Sequence, residues 1–271
     1  MFSSLHVKYI QDCIKFFQEG EAIIIRNNLS IFEHAVVSPD SDYPDLFVPK
    51  NLISMLPKNI QDIIVSTSIG KWEHCLPLDF PHSITMLLKA MCRKAFNVEF
   101  RYADEAIPDW YNQSIACWRK GDIEKSLFHL GRTCHLIQDL CVPMHCQAYT
   151  NIVDAYNLMT NKNPNHNAFE EFCEKAYTPY VGNISALNIN FEIPKFIVEI
   201  ATISRTYSYY CDGISCVNVR SAFLRKILQK IVKLFVEDYS AAAELTNSYA
   251  LICTVRIIQK FFYDINNNLH K

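Results

Sequence analysis

The sequence predicts an all-α protein, folded as a single compact multi-helix domain over residues 1–271. Three observations carry that prediction. There are only six glycines in 271 residues, and few stretches alternate apolar and polar residues as half-buried strands do. Apolar residues recur instead at three- and four-residue spacing in segment after segment. Mid-chain, histidines and carboxylates fall four apart, which places both side chains on one helix face.

Taken in order, residues 4–18 carry Leu5, Tyr9, Ile10, Cys13, Phe16 and Phe17 at helical period, with His6 in the first turn. Residues 19–33 read as a second helix or a helix with a break. The stretch from His34 to Phe47 holds two prolines and three aspartates and predicts a loop. Residues 46–71 read as an inserted lobe or lid with one helix. His74 and His82 follow, then helices over 83–98 and 104–120. Gly121 and Asp122 form a turn into the next helix, with Asp122 as its N-cap. Pro143 ends that helix. Residues 151–163 are an asparagine-rich loop, and a further helix runs from His166 to about Tyr177. Residues 180–196 read as a loop bordering a pocket. Apolar stripes over 221–238 and 240–266 predict core-facing helices to the end.

Composition narrows the function classes. Half the residues are apolar and the net charge is −2, which argues against disorder and against a nucleic-acid-binding surface. No apolar run reaches the roughly 18 residues of a membrane span. Eleven cysteines show no C-x-x-C spacing, so a zinc ribbon or thioredoxin motif is excluded. An odd count leaves at least one thiol unpaired in a monomer, and a reducing compartment is the simpler reading, with disulfides left open. A polar helix-like segment follows Met1, so no signal peptide is expected in the chain as given. No P-loop, Rossmann glycine pattern or G-x-S-x-G elbow is found.

The chemistry concentrates between Gly131 and Glu170. His135 and Asp139 form one i,i+4 pair, His145 follows Pro143, and His166 and Glu170 form a second pair. Singly, such a pair is usually a surface pair or a capped core histidine. Two pairs with a third imidazole between them supply the ligand types of a hydrolytic zinc site. His129 points away from His135 and reads as structural.

The pattern H-x3-D-x5-H with P-M-H at its end, followed by H-x3-E, resembles the zinc-dependent phospholipase C / S1-P1 nuclease superfamily. The lead-in K-G-D-I-E-K-S-L-F-H-L-G resembles the helix entering this motif in bacterial phospholipases C. The resemblance is detailed over Trp110 to Ala176 and rests on single residues before that. It implies an all-α fold with a polynuclear zinc site between helices, holding two to three Zn²⁺. It also implies a ligand set: Asp40, His74, His135 and Asp139 for one ion, and His145, His166 and Glu170 for a second. Met1 (through its backbone), His6 and Asp139 would hold a third. Asp40, with Asp42 in reserve, would also orient or deprotonate the attacking water. Met1 stands where relatives usually have Trp. Ser41 and Lys71 occupy the positions of choline-cage aromatics, so Lys71 suggests an anionic head group instead.

The implied activity is phosphodiester hydrolysis of the phospholipase C type, in lipid degradation. H-x3-E at 166–170, P-M-H followed by x3-T-N, and the lead-in favour that branch; the close Met1–His6 spacing favours the nuclease branch. The alternatives are a single-strand nuclease, with tyrosines such as Tyr43, Tyr149 and Tyr207 as base platforms, and a non-catalytic zinc-stabilised helical protein. The expected partner is a phospholipid or other phosphodiester, met by a monomer in transient contact with a membrane surface. Relatives are secreted, which stands against the reducing compartment suggested by the cysteines.

Overall fold

The computed structural model describes residues 3–41, 57–58, 74–76, 78, 101–146, 165–179, 184, 189–212 and 239–267. The expected inserted lobe apart from residues 57–58, the helices over 83–98 and 221–238, the 151–163 loop, and Met1, Asp42, Lys71 and His82 lie outside the described residues.

Among the described residues every regular element is helical. They are α1 (Ser3–Cys13), α2 (Glu19–Asn27), α3 (Leu29–Ser41), α4 (Ala103–Arg119), α5 (Ile123–Leu140), α6 (Asn165–Ala176), α7 (Ile193–Asp212) and α8 (Ser240–Asn267). Short 3₁₀ turns cover Ile14–Phe16 and Pro143–Cys146. The all-α expectation holds. None of these helices is long and apolar enough to cross a membrane.

Local chemistry sets the boundaries. Asn28 breaks the 19–41 segment by bonding backward, its Nδ2 donating to Ile24 O at 2.9 Å. Gly121 takes φ 78°, which a side chain would resist, and lets the chain reverse between α4 and α5. Asp122 then caps α5, accepting from the Lys125 amide at 3.2 Å. Both features follow the sequence reading.

Two boundaries differ: α7 begins at Ile193, inside the stretch expected as a loop over 180–196, and α3 runs on past the expected start of a loop. The expected 34–47 loop is helical as far as Ser41, with Pro39 inside the helix. Proline has no N–H to give the carbonyl four residues back, that of Ala35. Ser38 Oγ donates to that same Ala35 oxygen at 3.0 Å, so the helix survives its proline for one more turn.

α5 is the central element. Every residue from His129 through Cys146 is buried. α3 packs on one side, α4 on another, and α8 and α7 close it in, while α1 bridges α3 and α8 and α6 lies on α8. A helix enclosed on all sides is normally apolar throughout. Here α5 buries His129, Arg132, Thr133, His135, Gln138 and Asp139. Buried polar groups require partners, and those partners define the site.

Candidate metal centre

His135 and Asp139 stand one turn apart on α5, with His135 Nε2 3.1 Å from Asp139 Oδ2. The end of α3 delivers two further groups. The Val36 carbonyl accepts from His135 Nδ1 at 2.6 Å, and Asp40 Oδ1 lies 3.8 Å from His135 Nε2. A carbonyl only accepts, so Nδ1 carries a proton, and Nε2 of the neutral ring offers a lone pair toward both carboxylates.

α1 contributes His6. Its ring stacks on His135 with centroids 4.1 Å apart, and its Nε2 is 3.4 Å from Asp139 Oδ1. His74 approaches from the other side, Nδ1 standing 2.5 Å from Asp139 Oδ2 and 3.1 Å from His135 Nε2. Backbone bonds pin the residues after it. Leu76 N–H donates to His145 O at 2.9 Å, Leu78 N–H to Cys146 O at 3.2 Å, and Ala103 N–H to Cys75 O at 3.1 Å.

After α5, the 3₁₀ turn begun by Pro143 turns His145 inward. His145 Nε2 is 4.0 Å from Asp139 Oδ1, 3.3 Å from Glu170 Oε1 and 3.1 Å from His166 Nε2. On α6 the second i,i+4 pair closes up, His166 Nε2 lying 2.7 Å from Glu170 Oε1.

Three sets of ligand atoms thus form, each with its atoms within 4.8 Å of one another: Asp40, His74 and His135; His6, His135 and Asp139; and His145, His166 and Glu170. All eight side chains expected as ligands meet in this one region. His135 occurs in two of these sets, and Asp139 Oδ2 stands within 3.1 Å of both His74 and His135. Asp139 faces four imidazoles at once, those of His6, His74, His135 and His145.

Burial is nearly complete. His6, His135 and Asp139 are fully buried. Asp40 is the exception, its side chain 26% exposed, so of the three carboxylates it is the one within reach of water.

Charge follows from this. Burial pushes the His6, His74 and His145 imidazoles toward the neutral form, His74 down to about 4. Burial acts the same way on His135, but Asp139 and Asp40 beside it win and raise its pKa. Burial alone would raise the carboxyls. The neighbouring imidazoles hold Asp139 and Glu170 well below the usual carboxylate range, and Asp40 is lowered as well. Three ionised carboxylates among largely neutral imidazoles are what a cation needs from its ligands.

The residues also fit zinc by their geometry. The facing pairs His135 Nε2–Asp139 Oδ2 and His145 Nε2–His166 Nε2, both at 3.1 Å, bring lone-pair donors together around common points. His6 Nε2 and His74 Nε2 are buried without a hydrogen bond. A buried polar atom with no partner costs about 1–3 kcal/mol, which coordination would remove. Nitrogen and carboxylate oxygen donors in this mixture suit Zn²⁺.

Other residues are placed outside the centre. His129 stacks on Trp110 at 5.4 Å, with the Arg132 guanidinium 4.1 Å from the same indole, a packing role as expected. His34 is exposed and touches Phe128 at 5.9 Å, so it serves as a packing residue. Ser41 closes α3 directly after Asp40. The sequence reading missed three contributors: the Val36 carbonyl, Gln138, and Thr254 behind Gln138. Only Gln138 left a trace in the sequence, as an amide between apolar residues beside the motif.

No family model matches the sequence, and no curated protein sequence matches it. Fold and site together define an all-α scaffold built around a buried histidine–carboxylate cluster. Two alpha-toxins are among the solved structures with this fold. That of Clostridium perfringens, from an avian strain, aligns with a TM-score of 0.57 and 16% identity, covering 97% of this chain and 64% of that one. The alpha toxin from Clostridium absonum aligns with a TM-score of 0.60 and 16% identity, covering 98% and 64%. The chain therefore spans about 64% of the length of each. The fold is that of the alpha-toxins, as the motif resemblance implied.

Proposed function

We propose that this chain is a zinc-dependent phosphodiester hydrolase of the phospholipase C kind, folded as one domain over residues 1–271. One observation carries the reading: Asp139 lies where three histidine–carboxylate sets adjoin, facing four imidazoles. The fold adds support, since the all-α scaffold that the motif resemblance implied is the one shared with the alpha-toxins. Two to three zinc ions are assigned to Asp40, His74, His135 and Asp139, to His145, His166 and Glu170, and to His6 and Asp139 with the Met1 backbone.

Bound zinc would neutralise the anionic diester and bring the pKa of a water to about 7. The chain's own residues do the rest. Asp139 and Glu170 stay ionised and hold the imidazoles in place. In the neutral ring the Val36 carbonyl holds the His135 proton on Nδ1, which leaves Nε2 for a ligand role. Asp40, the most exposed carboxylate of the cluster, orients or deprotonates the attacking water. Ser41 and Lys71 are assigned to the substrate's edge. The substrate is a phospholipid or other phosphodiester, met by a monomer in transient contact with a membrane surface.

The test is metal content together with hydrolysis of bis-p-nitrophenyl phosphate by wild type and Asp139→Asn. Two to three zincs per chain, and activity lost in the variant, are expected. No bound metal and no activity after zinc reconstitution would sink the proposal. Phospholipid and single-stranded DNA substrates then separate the lipase from the nuclease branch.

A further inference from the structure

We propose that Gln138 is a positioning residue for His6, oriented in turn by Thr254 of α8, and that this relay decides which nitrogen of His6 faces Asp139. The consequence for metal rests on the zinc reading above, but the relay is drawn from hydrogen bonds alone.

The chain of bonds has one direction. Thr254 Oγ1 lies 2.7 Å from Ala250 O, and a carbonyl can only accept, so Thr254 donates. A hydroxyl has one proton, and with it used the Thr254 oxygen accepts from Gln138 Nε2 at 3.0 Å. That contact orients the carboxamide and turns Oε1 toward His6, whose Nδ1 lies 2.6 Å away. An amide oxygen accepts, so His6 carries its proton on Nδ1. Its Nε2 is left as a lone pair, 3.4 Å from Asp139 Oδ1 and without a hydrogen bond.

The reversed amide fails at both ends. It would set Oε1 against a threonine oxygen whose proton is already committed, and it would draw the His6 proton onto Nε2, toward the cluster. His6, Gln138 and Thr254 are all fully buried, so bulk water does not exchange for these partners. Three helices distant in sequence thus converge on one tautomer, the one in which His6 Nε2 can serve as a ligand. Outer partners of this kind typically change metal affinity 10- to 100-fold.

The experiment compares wild type, Thr254→Val, Thr254→Ser and Gln138→Leu. The first reading is the ¹⁵N NMR tautomer of His6 in chelator-stripped protein. The second is zinc stoichiometry and affinity, measured by competition with a chelator. Wild type and Thr254→Ser are expected to hold the Nδ1–H tautomer and bind zinc alike. Thr254→Val and Gln138→Leu are expected to lose the tautomer preference and to weaken one zinc per chain by about 10- to 100-fold, leaving the others unchanged. Thr254→Val is near-isosteric and does not touch His6, so it carries the test if Gln138→Leu fails to fold. An unchanged tautomer, or unchanged affinity for every ion, in Thr254→Val overturns the proposal. A wild type that takes up no zinc overturns the metal reading instead, and the tautomer comparison still decides the relay.

Discussion

A Cβ atom placed on Gly131 would stand 2.6 Å from the Cβ of Ala35. Helices α3 and α5 approach so closely there that only hydrogen fits between them. Val36, the next residue of α3, presents its carbonyl to His135, four residues beyond Gly131. The close approach of the helices and the hydrogen bond to His135 in the histidine–carboxylate cluster are one arrangement.

Gly131→Ala therefore sets two effects against each other. Alanine gains about 1 kcal/mol of helix propensity. The clash with Ala35, and with Phe32 at 2.9 Å, must be relieved by moving α3, at about 1–3 kcal/mol for overpacking a core. Net destabilisation and weakened zinc binding are expected, since α3 also carries Asp40. A urea midpoint equal to or above that of wild type would contradict this.

Ser38 and Pro39 should behave as a coupled pair. Ser38→Ala removes the hydroxyl that satisfies the Ala35 carbonyl and is expected to cost about 1 kcal/mol. Pro39→Ala restores the missing N–H, so Ser38→Ala in that background should cost close to nothing. A double-mutant cycle measures the difference. Equal costs in the two backgrounds would reject the compensation.

His129 supplies the control for the ligand set. It stacks on Trp110 and points away from the cluster. His129→Gln should keep the full zinc content while losing up to about 1.5 kcal/mol of stability with the ring stack. His135→Gln should lose zinc. Equal zinc loss from the two variants would undo the assignment.

Acid should destabilise the chelator-stripped protein. The folded pKa values of His6, His74 and His145 lie below the ordinary 6.5, with His74 at about 4. The unfolded chain takes up these protons first, so their contribution is complete above pH 6.5 and declines as the pH falls toward 4. His135 is raised and works in the opposite direction, adding stability below 6.5 that is lost as the pH rises through its folded pKa. The large downward shift of His74, with His6 and His145 acting in the same direction, sets the expected sign. Stability should fall between pH 6.5 and 4, by at most about 1.4 kcal/mol per pH unit for each group. Urea midpoints at pH 7 and pH 5 test the sign, and an unchanged or higher midpoint at pH 5 would refute it.

What the sequence determined by itself was local. The i,i+4 pairs His135–Asp139 and His166–Glu170 need only helical geometry to bring their side chains together, so spacing suffices to read them. Pro143 after α5, the Asp122 cap and the break at Asn28 are likewise decided by neighbours a few residues away. Pro39 misled for the same reason: proline and aspartate read as loop, and the serine hydroxyl that rescues the helix shows only as a contact. The tertiary structure decided everything joining distant segments. His6 reaches Asp139 across 133 residues, and backbone bonds pin the residues after His74 to the turn at His145, beside Asp139. The Val36 carbonyl has no side-chain signature, and Thr254 is an ordinary helical threonine until Gln138 turns toward it. Such contacts arise from the packing of α1, α3 and α8 around α5, and periodicity along one chain carries no information about which faces of different helices meet.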